Sequence, residues 1–213
     1  MDAQFFAISL VILLLSIILH EVAHGLAALY FGDHTAEHAG RLTLNPLPHI
    51  DPIGSILMPA LMFVPAALGL GNPGFFIAWA KPVPVNPLHY NNIRLGEFVV
   101  SSAGIVTNIA IAVVAAVLFH TTGHYGFPVW QNILTFAAQI NLVLAAFNLL
   151  PIPPLDGSKI LGSLLPAHLE YEYRKLERFG FLILILLLWS PLGSLVWLWI
   201  SFIVRIFRSV LAI

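Results

Sequence analysis

The stretch SIILHEVAHGL, residues 16–26, places two histidines and a glutamate inside an otherwise apolar run. That run extends from Phe5 to Phe31, and at ~1.5 Å per residue it is long enough to cross a bilayer core of ~30 Å. An ionisable group at such a depth costs ~3 kcal/mol, so it is kept where it has a function. The stretch therefore predicts a retained membrane-spanning helix that carries a functional site.

The composition of the whole chain also predicts a membrane protein. Of the 213 residues, 59% are hydrophobic and only 9% are charged, against about 25% charged in a soluble domain. The net charge of −1 argues against a nucleic-acid partner. Because the chain has no Cys, a metal ion would have to be held by His and carboxylates. We expect one integral membrane domain, residues 1–213, whose apolar surface is covered by the lipid bilayer.

The N-terminus differs from a secretory signal peptide. No Lys or Arg precedes the apolar run, and the run is too long for the apolar region of a signal peptide. It also has no small-x-small cleavage site after it. We therefore expect the first helix to remain in the mature protein.

Further apolar runs predict the rest of a helical bundle. Residues 95–119 and 132–150 predict two spanning helices, and 179–207, interrupted by SPLG, predicts a hairpin of two short helices. The run 53–70 contains two prolines and predicts either a re-entrant segment or a full span. The fold class is thus an all-α polytopic membrane protein, a bundle of about five to six transmembrane helices. Re-entrant or extended proline-rich segments are expected near its functional site.

Two proline-rich segments, 81–87 and 151–154, predict extended backbone, because proline disfavours helix at its own position and at the residue before it. A short helix is predicted over 156–165. The free edges of the two extended segments could pair with an extended peptide, as strands at a sheet edge do.

The basic residues predict the orientation in the membrane, because they collect in cytoplasmic loops. The N-terminal tail and the 121–131 loop carry none and are expected outside, which places HEVAH near the cytoplasmic face. A hairpin over 179–207 would keep Arg205 and Arg208 inside. A water path from that side is expected to reach Ala28, one turn past His24. The basic residues expected to share the inner face are Arg41, Lys81, Arg94, Lys159, Arg174, Lys175 and Arg178.

The motif HEVAH itself has the spacing of a zinc site. His20 and His24 are four residues apart, so on a helix they project from one face and can bind one Zn²⁺. Glu21 lies about 100° around the helix, where a base for the hydrolytic water belongs. The alternative is that these polar groups satisfy one another in the bundle without a metal ion.

A third protein ligand is needed, because two histidines leave a zinc ion short of one. Asp156, in NLLPIPPLDGSKIL, is the candidate. The prolines before it free backbone carbonyls, which is tolerated at membrane depth only where they line a cavity. Asp156 could equally cap the N-terminus of the following helix, and the residues alone leave both interpretations open.

Two other histidine pairs provide a comparison. His34-Thr-Ala-Glu-His38 matches the inverted zinc signature H-x-x-E-H, and His120 and His124 are again four residues apart. Both pairs lie in polar, Gly-containing segments at or beyond membrane ends, where a histidine needs no metal. We interpret both as solvated loop residues. The isolated histidines interpreted as interfacial are His49, His89 and His168.

The ordered set of motifs resembles that of the site-2 protease family of intramembrane zinc metalloproteases. HEVAH on the first helix, G-x-x-x-N from Gly104 to Asn108, and NLLPIPPLDG on a later helix carry the resemblance. The segments GRLTLNPLPHIDPIG and WAKPVPVNP are similar to the small prokaryotic branch of that family, without a PDZ domain. One departure is Ile105, which stands where the family commonly has Pro.

The resemblance implies a zinc metalloendopeptidase that cleaves membrane-protein substrates within or near their transmembrane helices, in regulated intramembrane proteolysis. It implies that Zn²⁺ is bound by His20, His24 and Asp156, and that Glu21 is catalytic. Asn108 is expected to take part in catalysis, although an interhelical hydrogen bond is the simpler explanation. The implied location is a prokaryotic inner membrane. The residues expected to contact the substrate are Gly104, for which close helix packing is the alternative, and Pro151, Pro153 and Pro154.

Two other functions compete with this one. Membrane proteases of the CaaX type take their third zinc ligand from a later E-x-x-x-D/E pattern, and no glutamate after the motif begins such a pattern. A non-proteolytic membrane protein could use the same buried histidines and carboxylates to bind metal ions or relay protons.

Overall fold

The computed structural model describes residues 3–57, 80–122 and 128–213. Within these ranges the chain is helical and contains no strand. The α-helices are α1 (Ala3–Tyr30), α2 (Thr35–His38), α3 (Ile93–Thr122), α4 (Pro128–Asn148), α5 (Asp156–Leu164), α6 (Ala167–Arg174), α7 (Gly180–Trp189) and α8 (Gly193–Leu211). Of these, α1, α3, α4 and α8 are long and apolar enough to cross a membrane. The predicted all-α polytopic fold is confirmed.

The connections contain short helical turns. Three are 3₁₀ turns, at Leu47–His49, Pro87–His89 and Glu177–Phe179, and one is a π-helix at Pro52–Leu57. Most of the run 53–70 and residues 123–127 of the 121–131 loop lie outside the described residues. Whether 53–70 spans or re-enters the membrane therefore stays open.

Helix α3 is the centre of the described bundle. It packs along α1 on one side and α4 on the other, and α5 lies against it near its start. The interface between α3 and α4 is built on small side chains, with Ala112, Ala115 and Ala138 buried around Leu142. Small residues let membrane helices approach closely, and that packing holds them together where lipid is as apolar as the interface.

A second apolar cluster fixes α7 and α8 to the end of α4. Trp199 of α8 also donates from Nε1 to the carbonyl of Ala146, at 3.0 Å. Through Leu150 and Leu155, the cluster therefore holds the chain just before α5 in a fixed position. Its buried members are Ala146, Leu150, Leu155, Leu184, Val196 and Ile200.

Helix α8 ends on the side opposite to that predicted. The break at SPLG is correct and separates α7 from α8, but α8 is long enough to cross the membrane by itself. His120, at the end of α3, donates from Nε2 to the carbonyl of Leu211 at 2.8 Å. Arg205 and Arg208 thus lie towards the end of the bundle where α3 ends. The sequence prediction failed because nineteen residues, the length of α8, are enough to cross the membrane.

The proline segment 151–154 is a turn, which corrects the prediction that it is extended. The Leu155 N–H donates to the Ile152 carbonyl at 3.0 Å, and the peptide bond between Pro153 and Pro154 is cis. The turn reverses the chain between α4 and α5. It therefore cannot offer an edge to an extended peptide.

The segment 80–86 forms no helix, in agreement with the prediction, and is held by partners from the first half of the chain. Arg41 donates to the Lys81 carbonyl at 2.7 Å, and the Asn86 N–H donates to Asp33 at 2.6 Å. Burial raises the pKa of Asp33, but hydrogen bonds from Asn86 and Thr35 outweigh it and lower that pKa below its usual range. Asp33 therefore anchors the segment as a charged carboxylate.

Candidate active site

Two histidines of α1 and the first residue of α5 converge on one point. His20 Nε2 and His24 Nε2 are 3.0 Å apart. Asp156 Oδ2 lies 3.1 Å from the first and 3.2 Å from the second. All three side chains are buried. Among the described residues, they form the one group of three or more His and carboxylate ligands placed to hold a metal ion.

The second nitrogen of each imidazole is held by α3. His24 donates from Nδ1 to the Val100 carbonyl at 2.6 Å, and His20 Nδ1 lies 2.5 Å from Asn108 Oδ1. Both partners are acceptors, so each Nδ1 carries the proton and each Nε2 has a free lone pair. Such outer contacts orient the histidines of metal sites.

This donor set fits a zinc ion. Two imidazole lone pairs and a carboxylate oxygen face one another, and the buried Asp156 Oδ2 has no hydrogen-bond partner among the described residues. Three acceptors this close repel one another unless a cation lies between them. Tetrahedral zinc ligands at ~2.0–2.1 Å from the ion are about 3.3 Å apart, which is close to the separations observed here.

Asp156 is not a helix cap, which decides between the two interpretations that the sequence left open. Leu155 occupies the N-cap position, and no side chain caps α5. Gly157 allows α5 to begin close to α4, because a Cβ there would lie 2.3 Å from the Leu149 carbonyl oxygen. The Asp-Gly pair therefore aims the carboxylate at the histidines while its helix presses on the end of α4.

Gly104 lies directly beneath the two imidazoles. A Cβ at this position would be 2.5 Å from His20 Cε1 and 2.5 Å from His24 Nε2. The absence of a side chain therefore lets the α3 backbone support the rings. This is the close-packing alternative considered above, and contact of Gly104 with a substrate stays a prediction.

Glu21 is restrained by the segment 80–86. Its Oε2 accepts a hydrogen bond from the Val83 N–H at 2.7 Å. Glu21 lies beside the metal ligands, and it lines both clefts that lead to them. One carboxylate oxygen is thus fixed, and Oε1 remains for a proton.

A cleft of about 800 Å³ opens in front of His20 and Glu21. Its polar lining residues include Asn148, Ser158 and Lys159. Many of its other lining residues are apolar and belong to α1, α4 and α7. These apolar residues are Ile17, Leu144, Phe147, Phe181, Leu184, Ile185 and Leu188. A peptide in this cleft would meet both hydrocarbon and ionisable groups.

A second, more polar cleft of about 370 Å³ runs from the metal ligands past Glu97 to α6. Glu97 accepts from Arg174 Nη2 at 2.5 Å, and Arg174 also pairs with Glu170 at 2.8 Å. Burial lowers the pKa of Arg174, but the two carboxylates outweigh it and raise that pKa. The mouth of this cleft therefore carries a fixed ion pair.

The three prolines predicted to contact the substrate have different surroundings in the structure. Pro154 lines both clefts. Pro153 is buried against Gly180, and the exposed Pro151 accepts a hydrogen bond from the Tyr173 hydroxyl at 2.8 Å. Only Pro154 of the three therefore faces the space where a substrate would bind.

The other histidines mostly lie as expected. His34 and His38 are exposed, and His34 Nδ1 pairs with Glu37 at 2.7 Å. His168 is exposed, but His49 is buried and donates to the Thr43 carbonyl, so its interfacial interpretation is wrong. The path to Ala28 is also wrong, since that residue is fully buried against its neighbours Phe31, Tyr90 and Val100. His124 lies outside the described residues.

The sequence analysis missed several residues that support the site. Val83 holds Glu21 through its backbone, which no sequence pattern reports. Glu97 stands seven residues before Gly104 on the same face of α3, a spacing that could have indicated it. Asn141 and Ser16 are buried polar residues of spanning helices, and such residues are a signal in themselves.

Comparison with known proteins identifies the family of the chain. The pattern of peptidase family M50 matches residues 126–190, which include NLLPIPPLDG. The chain is 38% identical over 194 residues to "Putative zinc metalloprotease YwhC" of Bacillus subtilis, covering 88% of this chain and 82% of the relative. It is 33% identical over 178 residues to "Putative zinc metalloprotease Rip2" of Mycolicibacterium smegmatis, covering 84% of this chain and 65% of that protein. No solved structure matches the chain.

The chain belongs to peptidase family M50, the site-2 protease family, as the motifs indicated. It is an integral membrane protein and a zinc metalloprotease. The buried group of His20, His24 and Asp156 could hold that zinc ion. The alternatives of a CaaX-type protease and of a non-proteolytic relay protein are therefore set aside.

Proposed function

We propose that this protein is an intramembrane protease, which hydrolyses peptide bonds within or near the transmembrane helices of other membrane proteins. Zn²⁺ is bound by His20, His24 and Asp156, and Glu21 is the general base. The observation that carries the proposal is the position of this buried group. Its two histidines lie on a membrane-spanning helix, and the group lies beside a cleft with many apolar lining residues.

The residues of the site fit peptide hydrolysis. Zinc, when bound, supplies Lewis-acid polarisation of the water and of the peptide carbonyl. Glu21 takes the proton of the attacking water on Oε1 and returns it to the leaving amine. The Val83 N–H holds the other oxygen, so the carboxylate keeps its orientation during both transfers.

The substrate must unwind locally, because the peptide groups of an intact helix are hydrogen-bonded within the helix. The segment 80–86, beside Glu21, is the remaining extended partner that an unwound strand could join. Its Val85 N–H forms no hydrogen bond within the described ranges, which supports such pairing. The partners proposed for the protein are therefore a transmembrane protein substrate and the lipid bilayer.

We test the activity by comparing membrane-protein fragments in cells that express the wild type, Glu21→Gln or Glu37→Gln. The first variant removes the base, and the second makes the same change in the exposed H-T-A-E-H motif. Fragments cut within spanning segments should be present with the wild type and Glu37→Gln and absent with Glu21→Gln. Zinc content should be equal in all three. Identical fragments from all three would contradict the proposal.

The protein is proposed to lie in the inner membrane of a prokaryotic cell. Its active site is proposed to open to the cytoplasm. Arg41, Arg94 and Arg174 lie around the end of the bundle that carries the site, and basic residues favour the cytoplasmic side. Since the chain has no Cys, single cysteines can be introduced without background. A Cys at Thr121 should react with an impermeant maleimide in intact cells, and one at Ala39 only after lysis. The reverse pattern would place the site at the outer face.

A further inference from the structure

Three polar side chains form a buried row between α1, α3 and α4. Asn108 and Asn141 are completely buried, and Ser16 is 2% exposed. None of the three lines either cleft, so they are not placed to touch a substrate. Polar groups inside spanning helices are retained where they have partners and a function.

The row is a continuous chain of hydrogen bonds that starts at a metal ligand. His20 Nδ1 is 2.5 Å from Asn108 Oδ1, and Asn108 Nδ2 donates to Asn141 Oδ1 at 2.8 Å. Asn141 Nδ2 then donates to Ser16 Oγ at 2.8 Å. Ser16 lies one turn before His20 on α1, so the chain of bonds leaves that helix and returns to it.

The direction of these bonds is fixed at the far end. An asparagine amide can be turned end for end, and only a partner with one possible role decides its orientation. The Ala137 carbonyl is such a partner, because it can only accept, and it takes a bond from Asn141 Nδ2 at 2.9 Å. Asn141 therefore presents Oδ1 to Asn108, Asn108 presents Oδ1 to His20, and the ring nitrogen of His20 must donate.

We propose that Asn141 and Ser16 are positioning residues of the zinc site, acting through Asn108 to keep the proton of His20 on Nδ1. His24 needs no such relay, because its Nδ1 bonds directly to a backbone carbonyl. His20 reaches its obligate acceptor through two side chains. The inference rests on the proposed ligation of zinc by His20.

The test is the zinc affinity of the purified protein, measured by competition with a chelator, for Asn141→Leu and Asn141→Asp. Leucine has the size of asparagine but removes the acceptor, so Asn108 can turn and present Nδ2 to His20. That moves the proton of His20 to Nε2 and should weaken zinc binding about 10–100-fold. Aspartate keeps an acceptor for Asn108, and its zinc affinity should stay within about threefold of the wild type.

Thermal stability measured on the same variants separates positioning from packing. A residue that only fills space should tolerate the apolar leucine better than a buried aspartate. If Asn141 has only a packing role, Asn141→Leu should therefore be more stable than Asn141→Asp and should also bind zinc more tightly. Positioning predicts opposite orders, with the leucine variant more stable and the aspartate variant tighter for zinc. Equal zinc affinity of leucine variant and wild type would overturn the proposal.

Ser16→Ala and Ser9→Ala give a matched pair that does not disturb α4. Both serines are buried in α1 and donate to the carbonyl four residues earlier, but only Ser16 accepts from Asn141. Ser16→Ala should weaken zinc binding about threefold, since Ala137 still orients Asn141, and Ser9→Ala should not. Equal affinities for both would overturn the role of Ser16.

His20→Ala distinguishes failure of this inference from failure of the proposed function. If His20→Ala keeps its zinc, the proposed metal site is wrong, and the inference falls with it. If His20→Ala loses zinc but Asn141→Leu and Ser16→Ala bind it normally, the site stands and only the inference is wrong.

Discussion

The chain contains two motifs with nearly the same letters and opposite surroundings. In HEVAH, residues 20–24, the side chains of His20 and His24 are 9% and 11% exposed, and both histidines have their Nδ1 atoms bound by α3. In HTAEH, residues 34–38, His34 and Glu37 are 56% and 52% exposed. A metal site here depends on what holds the second nitrogen of each ring.

The glutamates of the two motifs differ in the same way. Glu21 is bound by a backbone N–H from a distant segment and leaves both imidazoles free to converge. Glu37 binds His34 Nδ1 itself, and the rings of His34 and His38 stack with centroids 5.9 Å apart. In the second motif the polar groups satisfy one another, as the metal-free alternative describes.

Of the changes that test this contrast, removal of a metal ligand should have the largest effect, which is on zinc affinity. His20→Ala or Asp156→Ala leaves two protein ligands, so zinc affinity should fall by about 100-fold or more. His34→Ala should change nothing. Metal content of the purified proteins, measured by mass spectrometry, checks both. Zinc retained in His20→Ala and lost in His34→Ala would exchange the roles of the two motifs.

Loss of the bond between Val83 and Glu21 should have a smaller effect, on kcat alone. Val83→Pro removes the N–H in a segment where Pro82 and Pro84 already set the backbone. Glu21 then loses its restraint, and kcat should fall about tenfold with zinc content unchanged.

Val85→Pro is the control for that variant. Its N–H is proposed to pair with the substrate and does not contact Glu21, so Val85→Pro should raise KM and leave kcat near that of the wild type. An equal loss of kcat in both variants would mean that the segment tolerates no further proline. Such a result would contradict a specific role of the Val83 N–H.

Replacement of both exposed histidines should have the smallest effect. The double variant His34→Asn, His38→Asn removes no contact with the site, and surface substitutions usually change stability by about 0.5 kcal/mol or less. Zinc content, activity and thermal stability should match the wild type. A proportional loss of zinc and activity would reveal a second metal site.

Much of the bundle could be predicted from sequence, because apolar length decides a membrane helix. The boundaries predicted for α3 and α4 differ from the observed ones by a few residues. The direction of α8 could not be predicted, since a break such as SPLG is compatible with a hairpin or with a full span. Only the contact between His120 and Leu211 reveals which is formed.

The residues of the candidate metal site could also be found from sequence. The depth of HEVAH indicated the two histidines, while Asp156 stayed open between a ligand and a helix cap until the resemblance to the site-2 protease family implied that it is a ligand. The supporting contacts could not be found from sequence. Val83, Asn141 and Ser16 act through spatial neighbours that are 62, 33 and 125 residues away in the chain. A sequence shows that such residues are polar, but it does not show which partner each one meets.

Because Gly104 contacts the imidazoles closely, the metal site can form only when α3 has the correct register along α1. If α3 slid by one residue along α1, Ala103 or Ile105 would come under the rings, and their side chains have no space there. The metal can therefore be bound only by chains whose first and third helices have been threaded correctly into the bilayer. Zinc content then measures the fraction of chains that are inserted correctly. Gly104→Ala changes no ligand but should bind no zinc, so it is the negative control for that assay.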